Sequence, residues 1–328
     1  MTTIDVHTHM ISDGWMQMFK KHKDKNMGIG RWDSGIEYML VDGVPELNFV
    51  PELIDYKLRI KGMDKGRVDL AIVSLTSPNV YFGTSDVSAE VARLINDDMA
   101  AAQRAYPDRI RFFCSLPWQC PDLALAELDR AVKLGAVGVM VLAHIRERQL
   151  IDPHFAPIWA EIDRRALPVL VHPTTPYGAT ESGIQNVRYL LASLGFTYDT
   201  TLAICQLVMT GFLEKYPNLK IIASHGGGYI PYVASRIDMF YRLSLSKPTW
   251  KMPALPSDEL ARIYYDAVVY SEEALDMCIS LAGPEHVLFG SDYPCPADFE
   301  RLHALTDSLP LDQRRAVKGG NAKRIFKL

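Results

Sequence analysis

Short apolar runs recur from one end of the chain to the other, and most are separated by stretches with helical periodicity. That alternation is the pattern of βα units built around a parallel sheet. Eight runs stand out: Ile4–His9, Val68–Leu75, Ile110–Leu116, Ala136–Ala143, Val169–His172, Ile221–His225, Ile263–Val269 and Val287–Ser291. Between the second and third, Val87, Val91, Leu94, Ile95, Met99 and Ala102 share one helical stripe behind an N-cap expected at Asp86. Between the third and fourth, Leu125, Leu128, Ala131 and Val132 repeat the stripe, and Gly135 is placed to end that helix. Leu202–Leu213 is more uniformly apolar, and Glu214-Lys215-Tyr216-Pro217 stops it ahead of the sixth run.

Eight strand–helix repeats without a phosphate-binding glycine fingerprint predict an α/β fold, a closed (β/α)8 TIM barrel rather than an open doubly wound sheet. Residues 1–328 read as one such domain. Two connections are longer than a barrel needs. Met10 to Arg67 contains Ile36–Leu40, the turn-like Asp42-Gly43 and Leu47–Val50, which predicts a small hairpin subdomain inserted after strand 1. Pro173 to Asp199 follows strand 5. Both leave from the strand ends where barrel active sites are built, so both are candidate lids.

Composition narrows the function without changing the fold. Of 328 residues, 48% are hydrophobic and 23% charged, enough for a full core without disulfides. Thirty-five Lys+Arg against 39 Asp+Glu leave a net charge of −4 and no basic block, which argues against nucleic acid or a membrane surface as partner. Leu134–Ala143 is too short to span a bilayer, and Asp5 and His7 interrupt any signal peptide, so a cytoplasmic location is expected. The five cysteines are odd in number and scattered, without a C-x-x-C pair, so neither a disulfide framework nor a thiolate metal site is indicated.

The strand ends carry the chemistry. His7 and His9 lie two residues apart near the end of the first run, so strand alternation turns both imidazoles to one side. Alone, such a pair is more often core-satisfied than metal-ligating. The fifth and sixth runs, however, end in His172 and His225, and the eighth leads to Asp292. Five polar groups at the same level of a barrel converge on one axial pocket. Nitrogen-rich coordination with one carboxylate suits Zn2+, with Mn2+, Co2+ or Fe2+ as substitutes. A second metal would need a bridging ligand, and Ala136–His144 offers no lysine, so the expectation is one ion per chain.

With H-x-H on strand 1, His on strands 5 and 6 and Asp on strand 8, the sequence resembles the amidohydrolase superfamily. Thr200-Thr201-Leu202-Ala203-Ile204-Cys205, Phe212-Leu213-Glu214-Lys215-Tyr216-Pro217, His225-Gly226-Gly227-Gly228 with Pro231 and Arg236, and Gly290-Ser291-Asp292-Tyr293-Pro294 are similar to its aminocarboxymuconate-semialdehyde decarboxylase-like branch (amidohydrolase family 2). The likeness runs from residue 4 to Gly320-Asn321-Ala322. It implies a metal held by His7, His9, His172 and Asp292, with His225 as proton shuttle beside the metal-bound water. It also implies that Arg236 grips a substrate carboxylate, shared across a homodimer interface. The branch places a second carboxylate-binding arginine in the insertion; pairing the Asp42-Gly43 turn and Arg59-Ile60…Met63-Asp64 without gaps puts Leu47 there. An apolar side chain cannot clamp a carboxylate.

The expected activity is therefore non-oxidative decarboxylation of a small unsaturated or aromatic carboxylic acid carrying one clamped carboxylate, a step of aromatic catabolism. The same residues would serve a metal-dependent hydrolase of a ring-cleavage product or lactone. A metal-stabilised barrel without catalysis has no need of a non-ligand His225. Trp32, Tyr177 and Arg31, in the two insertions, are candidate substrate contacts. His144 reads equally as a substrate contact or a satisfied loop histidine, His22, His154, His286 and His303 as solvated, and Cys295 as an inert thiol. Gly226-Gly227-Gly228 lacks the Lys-Ser/Thr of a P-loop and reads as a place of close backbone approach.

Overall fold

The structure, a computed structural model, describes residues 1–184, 189–244, 252, 254–295 and 297–328. Eight parallel strands form one sheet in chain order: β1 (Ile4–His9), β2 (Leu70–Ser74), β3 (Ile110–Cys114), β4 (Gly138–Leu142), β5 (Pro168–His172), β6 (Lys220–Ala223), β7 (Tyr264–Asp266) and β8 (Val287–Leu288). The two ends of the sheet meet: Val6 N–H donates to Phe289 O at 3.0 Å, His9 N–H donates to Tyr293 O at 2.8 Å, and Thr8 and Tyr293 form a parallel bridge. The result is a (β/α)8 barrel. Every residue of β1, β2, β4 and β5 is buried, which is why these strands read as unbroken apolar runs and not as alternations.

Two of the predicted runs shrink. Ile263–Val269 supplies only Tyr264–Asp266, and Val287–Ser291 only Val287–Leu288. Past Leu288 the pairing with β7 ends: Phe289 N–H donates to Val317 O at 2.9 Å, and the chain keeps its bonds to β1. The helix Ser85–Ala105 buries Val91, Ile95, Met99 and Ala102 as its stripe predicts, but its cap is Thr84, whose side chain accepts from Val87 N–H. Asp86 instead sits in the first turn, where a carboxylate meets the positive end of the helix. Gly135 ends the helix Pro121–Leu134 at φ 106°. The apolar stretch at 202–213 divides into Phe196–Met209 and the short helix Phe212–Lys215.

The insertion after β1 holds more than a hairpin. Glu37–Val41 and Val44–Asn48 pair across Asp42-Gly43, and a third strand, Met27–Arg31, pairs antiparallel from Met27↔Val41 to Arg31↔Glu37. Its two glycines, Gly28 and Gly30, erase the alternation that would have revealed it. The helices Asp13–His22 and Tyr56–Lys65 flank this sheet. The connection after β5 includes residues 185–188, which lie outside the described residues. Among the described residues no helix is long and apolar enough to cross a membrane. His303 is buried rather than solvated: its Nε2 donates to Gly66 O at 2.7 Å and its Nδ1 accepts from Lys318 Nζ at 3.1 Å.

Candidate metal centre

Three histidines are each fixed through Nδ1, so that Nε2 is free to face the barrel axis. His7 Nδ1–H donates to Asp266 Oδ2 at 2.6 Å, His9 Nδ1–H to Leu75 O at 3.1 Å, and His172 Nδ1–H to Pro173 O at 2.8 Å. A carboxylate and two carbonyls only accept, which sets the proton on Nδ1 in all three rings. This is the usual arrangement of a metal-ligating imidazole. The rings of His7 and His9 stand 5.0 Å apart, and those of His9 and His172 4.7 Å apart.

Asp292 closes the group from the other side. It follows β8 at φ 60°, its N–H donates to His7 O at 2.7 Å, and the preceding Ser291 donates from Oγ to Asp5 Oδ2 at 2.5 Å. These bonds turn the carboxylate inward, with Oδ1 3.0 Å from His9 Nε2 and 3.4 Å from His7 Nε2, and Oδ2 3.6 Å from His225 Nε2. His225 begins the turn after β6 at φ 55°. The next two residues must be glycine: a Cβ on Gly226 would lie 2.6 Å from the Val269 side chain, and one on Gly227 2.6 Å from the Tyr265 ring. The triple glycine is thus a place of close backbone approach, and Gly226 N–H donates to Asp266 Oδ1 at 3.0 Å. His225 Nδ1 is buried and has no partner among the described residues.

The electrostatics describe a site built for positive charge. Burial alone would lower His7, but Asp266 and Asp292 outweigh it and push it up to about 10. Burial pushes His9 down and His172 well down. Burial would raise Asp292, yet hydrogen bonds with His225, His7 and His9 hold it well below the usual carboxylate range. The attraction that keeps a proton between His7 and Asp292 serves equally for a metal cation. Among the described residues, one donor atom from each of His7, His172, His225 and Asp292 lies within 4.8 Å of the others, and His9 Nε2 is 3.2 Å from His7 Nε2. The five groups at the strand ends therefore converge; the four whose donor atoms all lie within 4.8 Å of one another include His225, while His9 Nε2 lies 3.0 Å from Asp292 Oδ1. Imidazoles with one carboxylate fit a divalent transition metal.

Of the residues expected at the substrate, Leu47 lines the cavity over this centre, beside Thr76, Ser77, Phe196 and Cys295. Trp32, Tyr177 and Arg236 are not among the residues lining it. Trp32 is exposed, stacked 4.2 Å from Tyr38, and donates to Asn48 Oδ1. Tyr177 donates from its hydroxyl to Arg146 O and stacks on His144, whose ring nitrogens are engaged by Arg146 O and Thr175 O. His144 is thus a loop histidine held against backbone carbonyls, outside the cavity lining. Arg236 is exposed on the helix Ile230–Ser244, its guanidinium over the Phe240 ring, and Arg31 is exposed and paired with Glu37. Burial, with Asp292 nearby, pushes the Cys295 thiol well up, so it is inert.

Sequence reasoning missed four residues. Asp266 ends β7 as the other polar groups end their strands, and could have been found by applying the same rule to the seventh run. Asp5 and Arg59 lie within segments already singled out; Arg59 is 1% exposed and donates to Thr8 Oγ1, His9 O and Tyr293 O. Glu46, also in the cavity wall, carries no sequence signal of its own.

A profile of the family described as Amidohydrolase matches residues 4–328. The chain is 32% identical over 273 residues to a 6-methylsalicylic acid decarboxylase of Penicillium expansum, covering 79% of this chain and 82% of that protein. It is 28% identical over 302 residues to a 2-amino-3-carboxymuconate-6-semialdehyde decarboxylase of Dictyostelium discoideum, covering 89% and 82%. The solved structure of a dihydroxybenzoic acid decarboxylase from Polaromonas sp. JS666, with bound manganese and the inhibitor 2-nitroresorcinol, matches with a TM-score of 0.82 at 26% identity over 100% of this chain and 97% of that one. A family profile that spans almost the whole chain and a barrel whose strand ends gather histidines around one aspartate lead to one assignment: the chain belongs to the Amidohydrolase family.

Proposed function

We propose that the protein is a metal-dependent, non-oxidative decarboxylase of small aromatic or unsaturated carboxylic acids. The observation that carries this reading is the convergence of His7, His9, His172, His225 and Asp292 beneath one cavity, in a chain whose relatives are decarboxylases. His7, His9, His172 and Asp292 would hold one divalent ion; the donor set suits Zn2+, and Mn2+, Co2+ or Fe2+ would serve. When bound, the cation supplies positive charge that draws in the substrate's oxygens and stabilises the electron pair left when CO2 departs.

The chain's own residues do the rest. The bond between the carboxyl carbon and the ring breaks, its electron pair stays on the ring carbon, and that carbon takes a proton. His225 lines the cavity with Nε2 near Asp292 and no partner for Nδ1 among the described residues, so it can carry that proton, and Asp292 would stabilise the imidazolium. Leu47 and Phe196 present apolar walls to the ring. With Leu47 in place of a second clamp, the substrate carries one carboxylate, which Arg236 grips from the partner subunit of a homodimer. The insertion at residues 10–67 of the single 1–328 domain acts as the lid, and five free cysteines suit the cytoplasm.

The test is a panel of hydroxybenzoates, carboxymuconates and ring-fission products offered to protein loaded with Mn2+ or Zn2+, with CO2 and product mass followed together. Loss of 44 mass units with CO2 release is the expected result. A product that gains the elements of water, without CO2, would overturn the reading in favour of hydrolysis.

A further inference from the structure

Glu46 precedes Leu47 in the strand Val44–Asn48 and lines the same cavity as His172, His225 and Asp292. Its Oε1 accepts a hydrogen bond from Thr175 Oγ1, in the loop after β5, so the insertion is latched over the centre at this point. Its Oε2 is buried and has no partner among the described residues. An unpaired buried carboxyl oxygen is costly unless a ligand completes it. Among the described residues no lysine or arginine lines this cavity. Among the described residues, the titratable groups that share this cavity wall with the carboxyl are His172, His225, Asp292 and Cys295, and Asp42 lies in the adjoining turn. Burial, opposed in part by Thr175 and reinforced by Asp42, pushes it up to about 7. Near and below that pH it is a neutral acid with an O–H to give.

We infer that Glu46 is a specificity-determining residue whose Oε2–H donates a hydrogen bond to an uncharged oxygen of the substrate, a hydroxyl, carbonyl or ether on the side of the ring that faces the insertion. The inference rests on reading this cavity as the acid-binding site of a decarboxylase. It adds to the consequence of Leu47: among the described residues the wall facing the insertion offers no cation to pair with a second substrate carboxylate, while Glu46 offers an O–H to a neutral oxygen. Thr175 fixes the donor by occupying the other oxygen.

The experiment compares wild type, Glu46→Leu and Glu46→Gln, all loaded with Mn2+. Calorimetric binding of benzoate, its hydroxy and methoxy derivatives and benzene dicarboxylates is measured alongside CO2 release. Wild type is expected to prefer the best-placed oxygenated acid over benzoate by roughly three- to tenfold through this bond. Glu46→Leu loses that preference, so that KM rises more for the oxygenated acid than for benzoate. Glu46→Gln keeps it, and keeps it above pH 8, where the wild type loses it on ionisation. An undiminished preference in Glu46→Leu overturns the inference, as does failure of every acid to bind the wild type. If the acids bind but none releases CO2, the decarboxylase reading falls, while the binding series still decides the role of Glu46.

Discussion

One carboxylate, Asp266, lies 2.6 Å from His7 Nδ1 through Oδ2, while its Oδ1 accepts the N–H groups of Gly226 and Val268 at 3.0 and 3.1 Å. It therefore sets both the tautomer of a histidine on β1 and the turn that begins at His225 after β6. Asn at this position could keep an oxygen for the two backbone N–H groups only by turning its NH2 toward His7 Nδ1–H, donor against donor, and would lower the basicity of His7. Asp266→Asn should weaken Mn2+ or Zn2+ binding by roughly 10- to 100-fold, read by metal titration calorimetry. An unchanged affinity would reduce Asp266 to a structural residue.

His9 and His225 are the two candidates for the remaining ligand that a cation held by His7, His172 and Asp292 would take. His9 Nδ1 is tied to a backbone carbonyl, whereas His225 Nδ1 has no partner among the described residues. A ligand benefits from a fixed ring, and a proton carrier from a free one. His225→Ala should retain about one metal ion per chain and lose turnover by roughly 10²- to 10⁴-fold, while His9→Ala loses the metal itself. Elemental analysis that found the reverse would exchange the two roles.

Much of this was legible in the chain because the barrel strands are buried on both faces, so apolar runs ending in His172, His225 and Asp292 mark both the strand and the level of the site. The third strand of the insertion was not legible, since Gly28 and Gly30 carry no apolar side chain. Asp266 and Glu46 were hidden for another reason. A carboxylate acting through a partner, or through one buried oxygen, is defined by its contacts and has no spacing that announces it. Trp32 and Tyr177 carry no such signal either way: in this structure both lie outside the cavity lining and donate to Asn48 and Arg146.

Arg59 anchors the same region from below. Its guanidinium, 1% exposed, donates to Thr8 Oγ1 at 2.6 Å, to His9 O and to Tyr293 O, with the Tyr293 ring 4.5 Å away. It thus joins the end of β1 to the segment bearing Asp292. Arg59→Met fills a similar volume but strands these acceptors, at a cost of about 2–5 kcal/mol. Urea denaturation of the metal-free protein should show it, and a loss under 1 kcal/mol would mean that water replaces the guanidinium.

Glu46 also makes a prediction about stability. Its folded-state pKa is raised from 4.5 to about 7, so between those values the folded protein binds more protons than the unfolded chain. Stability associated with this group is present below about pH 4.5 and is lost as pH rises through 7. Glu46→Gln removes the dependence, so the variant should gain on the wild type between pH 5 and 8 in thermal melts of ligand-free protein. The cavity groups Asp292, His172 and His225 are common to both proteins and cancel in the difference. A constant offset across that range would place the carboxyl in contact with water.

Arg236 poses the question of assembly. It lies on the exposed side of Ile230–Ser244, among Tyr232 (78% exposed), Met239 (46%) and Phe240 (51%), an apolar face unusual for a surface that stays in water. Its own cavity wall does not include it. If a second copy covers this face, the arginine is delivered to the partner's cavity, and the two substitutions Arg236→Ala and His225→Ala damage different halves of one site. Each homodimer should be inactive, yet subunits mixed and re-equilibrated should regain about one quarter of wild-type activity, because half of the dimers are then mixed and one of their two sites is whole. Light scattering should show a dimer throughout. No recovery on mixing, with exchange verified, would place the arginine's action within its own subunit or outside the reaction altogether.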